Sequence, residues 1–472
     1  MAEHAARRPA DTALIVNGAA ITYQAFHRDL GCFVSALRDL CLESGQTVGI
    51  EHPHPYLHWF AVLSVEALGA ISFSYRPEDR EILREELEIS DLILCTARGE
   101  PARARRVQVM TREWTDSVRQ STPEHPIRTA PITPDTPLRI TRSSGTTGSL
   151  KRMYHTGRIR EFWIENYLQR SGLAQGSRYL MSVGFTIEAM QYYATACARV
   201  GGTCIYEGRT DLATVLASQN ISHVALPAYL LKQLLDGLPK DYRKPDDLTI
   251  YVISAAVSAD TRSRLKMNLA DTLIESYGTS ECGGISDMDG DGIGRIRPGV
   301  TVEILNDDDE PVTGETGRIR VRSPGVVPGY LEAPEATARM FRDGWFYPGD
   351  LGVLRDAHAL ELIGRADDML NIGGTKFLPG PVEERLRAAV AVGDLCLVAL
   401  PAEGAPDKLC VVVVPLPGTD PKSLRDSLSP LLPADLEPID LVFADHIPRT
   451  EMGKARRTEL VQALQLRDQT AS

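Results

Sequence analysis

Several features that would place this 472-residue chain in a special class are missing. No apolar run approaches the roughly 20 residues of a membrane-spanning helix. The N-terminal segment MAEHAARRPADTAL lacks the apolar core of a secretory signal peptide. The eight cysteines include no C-x-x-C pair. From these absences we expect a cytoplasmic protein with reduced thiols, no disulfides and no zinc site.

An excess of positive charge is also lacking. The 51 lysines and arginines are outnumbered by 63 aspartates and glutamates, which gives a net charge of -12. Because nucleic-acid binding needs basic surfaces, this balance argues against it. An arginine-rich stretch at 98–112 is interpreted as a solvated loop. The alternative is a docking surface for an acidic carrier protein or for the phosphates of coenzyme A.

The most informative segment that is present reads TRSSGTTGSLKR, at residues 141–152. Its hydroxyl groups and glycines lie between a short apolar run and a stretch with helical spacing, so we expect a loop that joins a strand to a helix. Such a loop can bind a polyphosphate, because glycines admit close approach and N–H and O–H groups donate. The Walker A spacing is not matched. The candidate residues are Ser143, Ser144, Gly145, Thr146, Thr147, Gly148 and Lys151.

This loop resembles the phosphate loop of the AMP-forming acyl-adenylating enzymes, a superfamily of acyl- and aryl-CoA synthetases, nonribosomal peptide synthetase adenylation domains and firefly luciferase. Leu150 and Arg152 replace the proline and glycine that are usual there. Four later segments resemble further motifs of the superfamily, in the same order. They are YGTSE at 277–281, GWFYPGDLG at 344–352, GRADD at 364–368 and PRTEMGKARR at 448–457. The resemblance extends over nearly the whole chain.

The resemblance implies a role for each matched residue near the nucleotide. The ring of Tyr277 would stack on adenine, and Ser280, in place of the usual threonine, would donate to the α-phosphate. Glu281 would hold Mg²⁺. Asp350 would accept both ribose hydroxyls, and Arg365 would contact ribose and phosphates.

The remaining matches imply which residues bind the reacting groups, form the hinge and admit the thiol. Lys151 would bind the β- and γ-phosphates, and Lys454 would bridge the incoming carboxylate and the α-phosphate. Asp367 would be the hinge between two domains. Gly373 and Gly374 would let a pantetheine arm pass close to the backbone. The catalytic set is therefore expected to be Lys454, Glu281, Ser280 and Lys151.

The pattern of elements indicates an α/β fold. Strand and helix patterns alternate over 178–300, and residues 300–364 are rich in strands. Strands are also expected at Leu395–Leu400 and Leu409–Val414. We predict a large N-terminal domain of β-sheets flanked by helices at 1–364, with the ATP and acid sites. A small, mobile α+β domain would follow at 365–472.

By the same resemblance, eight residues are expected to line the acid pocket. Adenylation domains for α-amino acids typically have Phe-Asp where this chain has Phe185-Thr186, and a buried ammonium group without a partner is costly. Glu188 is an alternative carboxylate, for example for a β-amino acid, although a residue that simply begins a helix is the favoured interpretation. The expected walls are Phe185, Thr186, Met190, Ser254, Ala256, Ser276, Gly284 and Ile285.

Together these features predict ATP-dependent activation of an organic carboxylic acid to acyl-AMP, with release of pyrophosphate and transfer to a thiol. The acid is expected to be aromatic or short and branched, without an α-amino group. ATP, Mg²⁺ and a thiol in trans, coenzyme A or the phosphopantetheine of a separate carrier protein, would be needed. The alternatives are a carrier-loading enzyme for an acid or β-amino acid, and an amide-forming or luciferase-like relative.

Overall fold

The fold is described by a computed structural model of the chain. Within the described ranges, no helix combines the length and apolarity that a bilayer span requires. The described residues are 1–97, 105–123, 126–143, 151–208, 211–253, 257, 259–288, 292–372, 375–402, 405–432, 439–449 and 455–471.

The largest sheet of the described chain has sixteen strands and two differently built halves. In the first half the strands run parallel, in the spatial order 272–279, 249–253, 223–227, 178–180, 203–206 and 12–16. In the second half, from Gly283 to Arg365, the strands pair antiparallel. The junction between the halves is the pairing of Thr272–Thr279 with Gly283–Met288.

A second sheet holds the candidate phosphate loop. Its six strands lie in the order 107–109, 92–95, 47–50, 71–74, 137–143 and 151–156. The last two form an antiparallel hairpin, and the others are parallel. The expectation that the loop leads directly into a helix is therefore wrong. Strand Lys151–Thr156 comes between them, and Thr156 then caps helix Gly157–Ser171 by accepting from the N–H of Ile159.

The C-terminal part has its own sheet and core. Strands Asp394–Ala402, Ala405–Val414 and Ile439–Phe443 form a three-stranded sheet, and Leu370–Ile372 pairs with Thr375–Phe377. Leu370 and Ile372 pack with the buried leucines and valines of this sheet. The predicted α/β class, with a large sheet-rich N-terminal part and a separate C-terminal α+β part, is confirmed. The boundary at 364/365 and the mobility of the small part stay predictions.

Helices cover the sheets, and their ends follow local chemistry. Thr22 caps helix Tyr23–Asp39, and Gly201 ends Glu188–Val200 with a φ of +82°.

The α-helices of the described residues are Ala2–Arg7, Tyr23–Asp39, Pro55–Ala67, Arg84–Ile89, Arg112–Gln120, Gly157–Ser171, Glu188–Val200, Leu212–Ser218, Ala228–Gly237, Ala259–Asn268, Pro334–Met340, Pro379–Ala389, Pro421–Leu428 and Arg457–Ala471, with 3-10 turns at Pro77–Asp79, Ala366–Asp368 and Ser429–Leu431. The strands are Thr12–Val16, Ala19–Thr22, Thr47–Ile50, Ile71–Ser74, Leu92–Cys95, Val107–Val109, Pro137–Ser143, Lys151–Thr156, Arg178–Leu180, Thr203–Tyr206, His223–Pro227, Thr249–Ile253, Thr272–Thr279, Gly283–Met288, Ile293–Ile296, Thr301–Leu305, Pro311–Val312, Gly317–Arg322, Phe341–Arg342, Trp345–Phe346, Asp350–Asp356, Ala359–Arg365, Leu370–Ile372, Thr375–Phe377, Asp394–Ala402, Ala405–Val414 and Ile439–Phe443.

Candidate active site

The two ends of the candidate phosphate loop are fixed by a hairpin. Ser143 ends one strand and Lys151 begins the next, and the two residues are direct partners in the antiparallel register. Residues 144–150 between them lie outside the described residues, as do the predicted ligands Ser144, Gly145, Thr146, Thr147 and Gly148. The hairpin therefore brings the hydroxyl of Ser143 and the side chain of Lys151 to the same edge of the second sheet.

Lys151 connects this hairpin to Glu281 through an aromatic ring. The ammonium nitrogen of Lys151 lies 5.1 Å from the ring centroid of Tyr330, within cation–π range. The hydroxyl of Tyr330 donates a 2.9 Å hydrogen bond to Oε1 of Glu281. Burial and the neighbouring Glu281 raise the pKa of Tyr330, so the hydroxyl keeps its proton. Tyr330 thus contacts both the ammonium group of Lys151 and the carboxylate of Glu281, which come from distant segments.

Glu281 has the properties of a magnesium ligand. Its side chain is buried, and its main chain is fixed because the N–H of Val327 donates to its carbonyl at 2.8 Å. Tyr330 occupies Oε1, whereas no described residue donates a hydrogen bond to Oε2. Magnesium in nucleotide sites commonly takes one or two carboxylates plus phosphate oxygens and water. A single buried carboxylate with one oxygen that accepts no hydrogen bond from the described residues fits that ligand set. Ser280, the preceding residue, is exposed.

Tyr277, Asp350 and Arg365 form a second group. The hydroxyl of Tyr277 donates to Oδ2 of Asp350 at 2.5 Å, and a guanidinium nitrogen of Arg365 lies 3.4 Å from Oδ1. Asp350 and Arg365 are direct partners across two antiparallel strands. Burial, and then the charge of Asp350, raise the pKa of Tyr277 well above its usual range. The group presents a carboxylate between a phenol and a guanidinium.

Glycine is required at the turn before Asp350. Gly349 has a φ of +79°, and its Cα faces the guanidinium of Arg365. Arg365 also donates to the carbonyl of Pro348 at 2.9 Å, so the turn and the arginine are held together. Asp367, the predicted hinge residue, lies in the 3-10 turn that follows, with Oδ2 at 3.3 Å from Nη2 of Arg365. The glycine turn before Asp350 is therefore compatible with the predicted ribose-binding role of this residue.

The described acid-pocket candidates lie in two regions of the chain. Phe185 is buried and stacks on Trp59 at 5.4 Å, and Met190 is buried on the helix that follows. Thr186 is partly exposed between them. Ser276, Gly284 and Ile285 belong to the two strands at the sheet junction. That these residues line a pocket stays a prediction.

The sequence is similar to those of known proteins. The family described as AMP-binding enzyme matches residues 1–331. The chain belongs to the AMP-binding enzyme family. Novobiocin biosynthesis protein H of Streptomyces niveus is 28% identical over 494 residues, which cover 96% of this chain and 80% of that protein. Indoleacetate–CoA ligase of Aromatoleum aromaticum is 25% identical, over 70% of this chain and 68% of that one.

Solved structures have the same fold as this AMP-binding enzyme. ATP-bound MatB from Rhodopseudomonas palustris superposes with a TM-score of 0.85 at 19% identity, covering 97% of this chain and 96% of that one. At this identity the likeness concerns the fold alone. The family match over residues 1–331, together with the relatives named above, confirms the predicted resemblance to the adenylating superfamily.

Sequence reasoning missed the partners of Glu188 in this AMP-binding enzyme. Glu188 does begin a helix, as expected. Its carboxylate also pairs with buried Arg139 on the phosphate-loop hairpin and lies 3.6 Å from Nδ1 of His155. Burial alone would raise the pKa of Glu188, but the charge of Arg139 and the nearby His155 outweigh it, and the pKa falls to about 2. No local sequence motif predicts an ion pair between Arg139 and Glu188, which are 49 residues apart.

A second cluster that the motifs did not reveal lies beside Ser276 and Gly284. Arg297 bonds to both Ser276 and Asp287, and Arg170 pairs with the other oxygen of Asp287. The Asp287 cluster, defined as Arg170, Ser276, Asp287 and Arg297, makes this side of the predicted pocket polar. The remaining predicted residues Ser254, Ala256, Gly373, Gly374 and Lys454 lie outside the described residues.

A cavity of about 340 Å³ lies elsewhere on the AMP-binding enzyme. Its lining residues come just before strands His223–Pro227 and Thr249–Ile253, at the amino ends of the parallel strands. In open α/β sheets ligands bind at the carboxyl ends instead. The cavity therefore belongs to the opposite edge from Tyr277 and Glu281. It is lined by Leu216, Ala217, Asn220, Ile221, Arg243, Pro245 and Asp247.

Proposed function

We propose that this AMP-binding enzyme activates an organic carboxylic acid with ATP, forming acyl-AMP and pyrophosphate, and then transfers the acyl group to the thiol of coenzyme A. The observation that carries the proposal is the convergence of three distant segments. Lys151 meets Glu281 through Tyr330, and Tyr277, four residues before Glu281, binds Asp350. The groups proposed to bind phosphate, metal and ribose therefore lie around one short stretch of the chain.

The reaction follows from the chemistry of carboxylates. A carboxylate is a poor acyl donor, because oxide would have to leave. In the proposed first step its oxygen attacks the α-phosphorus of ATP, the bond to the β-phosphate oxygen breaks, and pyrophosphate departs. No proton moves, so the protein contributes positioning and charge stabilisation. Magnesium held by Glu281 would neutralise phosphate charge.

The chain's own cations would share this work. Lys151, held over the ring of Tyr330, is placed at the end of the phosphate loop. By resemblance, Lys454 would bridge the acid carboxylate and the α-phosphate in the first step. The C-terminal part would then turn about Asp367 and present Gly373 and Gly374 to the thiol, a hinge-type change. In the second step a thiolate attacks the acyl carbon and AMP leaves.

Two observations bear on the acid. Thr186 replaces the aspartate that would pair an α-ammonium group, which favours an acid without one. Indoleacetate–CoA ligase, a relative, is named for an aromatic acid. We therefore propose an aromatic or short branched acid. The β-amino acid alternative is weakened, because the carboxylate of Glu188 is already paired with Arg139.

The test is a panel of acids assayed for ATP-dependent pyrophosphate release, with and without coenzyme A. The proposal predicts acid-dependent release for at least one aromatic or branched acid, and consumption of coenzyme A with it. Pyrophosphate release without any consumption of coenzyme A would favour a carrier-loading enzyme or an amide-forming or luciferase-like relative. Adding a carrier protein or an amine as acceptor then distinguishes the first of these from an amide-forming enzyme. If no acid produces acyl-AMP in the presence of magnesium, the proposed function is wrong.

A matched pair of variants connects this test to the site. Glu281→Gln removes the charge of the proposed magnesium ligand, whereas Glu335→Gln removes an exposed carboxylate from helix Pro334–Met340. The first variant should lower pyrophosphate release by about 10²–10³-fold, as expected when a transition-state charge partner is lost. The second should leave release unchanged.

A further inference from the structure

Arg297 is a buried cation held in a fixed position. Its Nε and Nη2 lie 3.0 and 2.6 Å from Oδ1 of Asp287, and Nη2 also donates to the hydroxyl of Ser276 at 2.6 Å. Its side chain is only 8% exposed, and that of Asp287 only 6%. The main-chain N–H of Arg297 donates to the carbonyl of Ile285 at 2.9 Å. Both ends of the residue are therefore fixed to strand Gly283–Met288.

The third guanidinium nitrogen, Nη1, has a different environment. It lies against Gly284, where a Cβ atom would overlap both Nη1 and Cζ. No described residue accepts a hydrogen bond from Nη1 of Arg297. Gly284 and Ser276 are two of the predicted walls of the acid pocket. A donor on a side chain that is only 8% exposed thus lies beside two predicted wall residues, with no acceptor among the described residues.

The carboxylate of Asp287 is bound by other donors and accepts no hydrogen bond from Nη1. Oδ1 accepts from Arg297 and from Ser276, and Oδ2 pairs with Nε of Arg170. Two guanidinium groups therefore share one carboxylate, and the cluster carries one excess positive charge. Burial opposes the charged form of Arg297, but Asp287 outweighs it and raises the pKa, so the group stays charged. The free donor of this largely buried, positively charged cluster can bind an oxygen acceptor of a ligand.

We infer that Arg297 is a specificity-determining residue, whose Nη1 donates to a hydroxyl or carboxylate on the acid, at a position away from the reacting carboxyl group. This inference rests on the proposed function and deepens it. An acid with an oxygen acceptor gains a charge-assisted bond over Gly284. An acid with an ammonium group at the same position meets the excess positive charge and is rejected.

The experiment compares matched acids that differ in one substituent. Benzoate, phenylacetate and cinnamate are paired with their hydroxy, carboxy and aminomethyl derivatives, substituted at the meta and para positions. Each pair is measured by kcat/KM for pyrophosphate release. It is also measured by the acid's effect on the melting temperature in the presence of a non-hydrolysable ATP analogue. The second readout does not depend on catalysis, so loss of the proposed function and loss of this inference are distinguished.

The variants isolate the donor. Arg297→Met removes it, and Gly284→Ala leaves Arg297 in the chain but places a methyl group where Nη1 lies. Arg262→Met is the matched control, because Arg262 forms a comparable ion pair with Glu275 at 2.6 Å. The melting temperature without ligand reports whether each variant folds. Gly284→Ala displaces the guanidinium of Arg297 but removes no charged residue from the chain, so it serves if Arg297→Met does not fold.

We expect the unmodified enzyme to prefer one oxygen-bearing acid over its parent by roughly 10- to 100-fold, as for a hydrogen bond to a charged group. The preference should fall to within about threefold in Arg297→Met and Gly284→Ala, and persist in Arg262→Met. A preference that survives in a folded Gly284→Ala variant would overturn the inference. So would an enzyme that favours aminomethyl acids, or one that does not distinguish any pair in either readout.

Discussion

The hydroxyl of Tyr277 donates to the carboxylate of Asp350 at 2.5 Å, across 73 residues of sequence. One residue is proposed to face the base and the other the ribose, so this hydrogen bond would couple the two halves of nucleoside recognition. Both side chains are buried. Because Arg365 approaches the other oxygen of Asp350, the carboxylate is held from two sides. The carboxylate proposed to bind ribose is thereby fixed by contacts within the chain.

Removing this hydroxyl tests the coupling. Tyr277→Phe keeps the ring and deletes one hydrogen bond to a buried charge, so the free energy of unfolding should fall by about 1.5–3 kcal/mol. KM for ATP should rise roughly tenfold, because Asp350 loses a positioning partner. Urea unfolding and initial-rate kinetics measure the two effects. In an Asp350→Asn background, Tyr277→Phe should lower the free energy of unfolding by less and raise KM for ATP by less. Equal changes in both backgrounds would show that the bond does not couple the two residues.

The ion pair of Glu188 with Arg139 predicts a pH dependence of stability. The pKa of Glu188 is lowered in the folded state from 4.5 to about 2. Its contribution is therefore complete above about pH 4.5 and is lost as the pH falls toward 2. The lowered pKa corresponds to a contribution of about 3 kcal/mol to the free energy of unfolding. Glu188→Gln should lower the free energy of unfolding at pH 7, and the difference from the unmodified enzyme should narrow below pH 4.5 in urea titrations. A difference that is independent of pH would contradict the pairing.

The shared ring of Tyr330 predicts a dependence on magnesium. Tyr330→Phe keeps the cation–π contact with Lys151 and deletes the hydrogen bond to Glu281. A less restrained carboxylate should bind magnesium more weakly, so half-maximal pyrophosphate release should need about tenfold more magnesium. Tyr242→Phe is the control, since the Tyr242 hydroxyl makes only a 3.4 Å bond to a main-chain carbonyl. An unchanged magnesium requirement in Tyr330→Phe would argue against Glu281 as the ligand.

Lys454 provides the sharpest test of the proposed first step. Lys454→Ala should lower acid-dependent ATP–pyrophosphate exchange by about 10²–10³-fold while ATP still binds, because the charge is needed in the transition state. Lys422→Ala removes an exposed lysine from helix Pro421–Leu428 and should have no effect. Exchange rates and equilibrium binding of ATP separate the two roles. Full exchange activity in Lys454→Ala would overturn the assignment.

The fold class and the family followed from local patterns. Strand and helix periodicity indicated α/β architecture, and strands at Asp394–Ala402 and Ala405–Val414 contain the predicted segments. Periodicity did not detect strand Lys151–Thr156, because its mixed polar and apolar residues follow a loop rich in glycine and hydroxyl groups. The pairing with Pro137–Ser143 makes it a strand. Tertiary pairing therefore decided what local composition left open.

The sequence by itself determined which chemical groups this protein possesses, because the motifs are short and each is carried by neighbouring residues. It identified Tyr277, Glu281, Asp350 and Arg365 as candidates without any knowledge of their partners. Only the tertiary structure decided that Tyr330 connects Lys151 to Glu281 and that Arg297 lies over Gly284. Ion pairs and hydrogen bonds act over a few ångströms of space, and sheet topology, not sequence separation, decides which residues come that close.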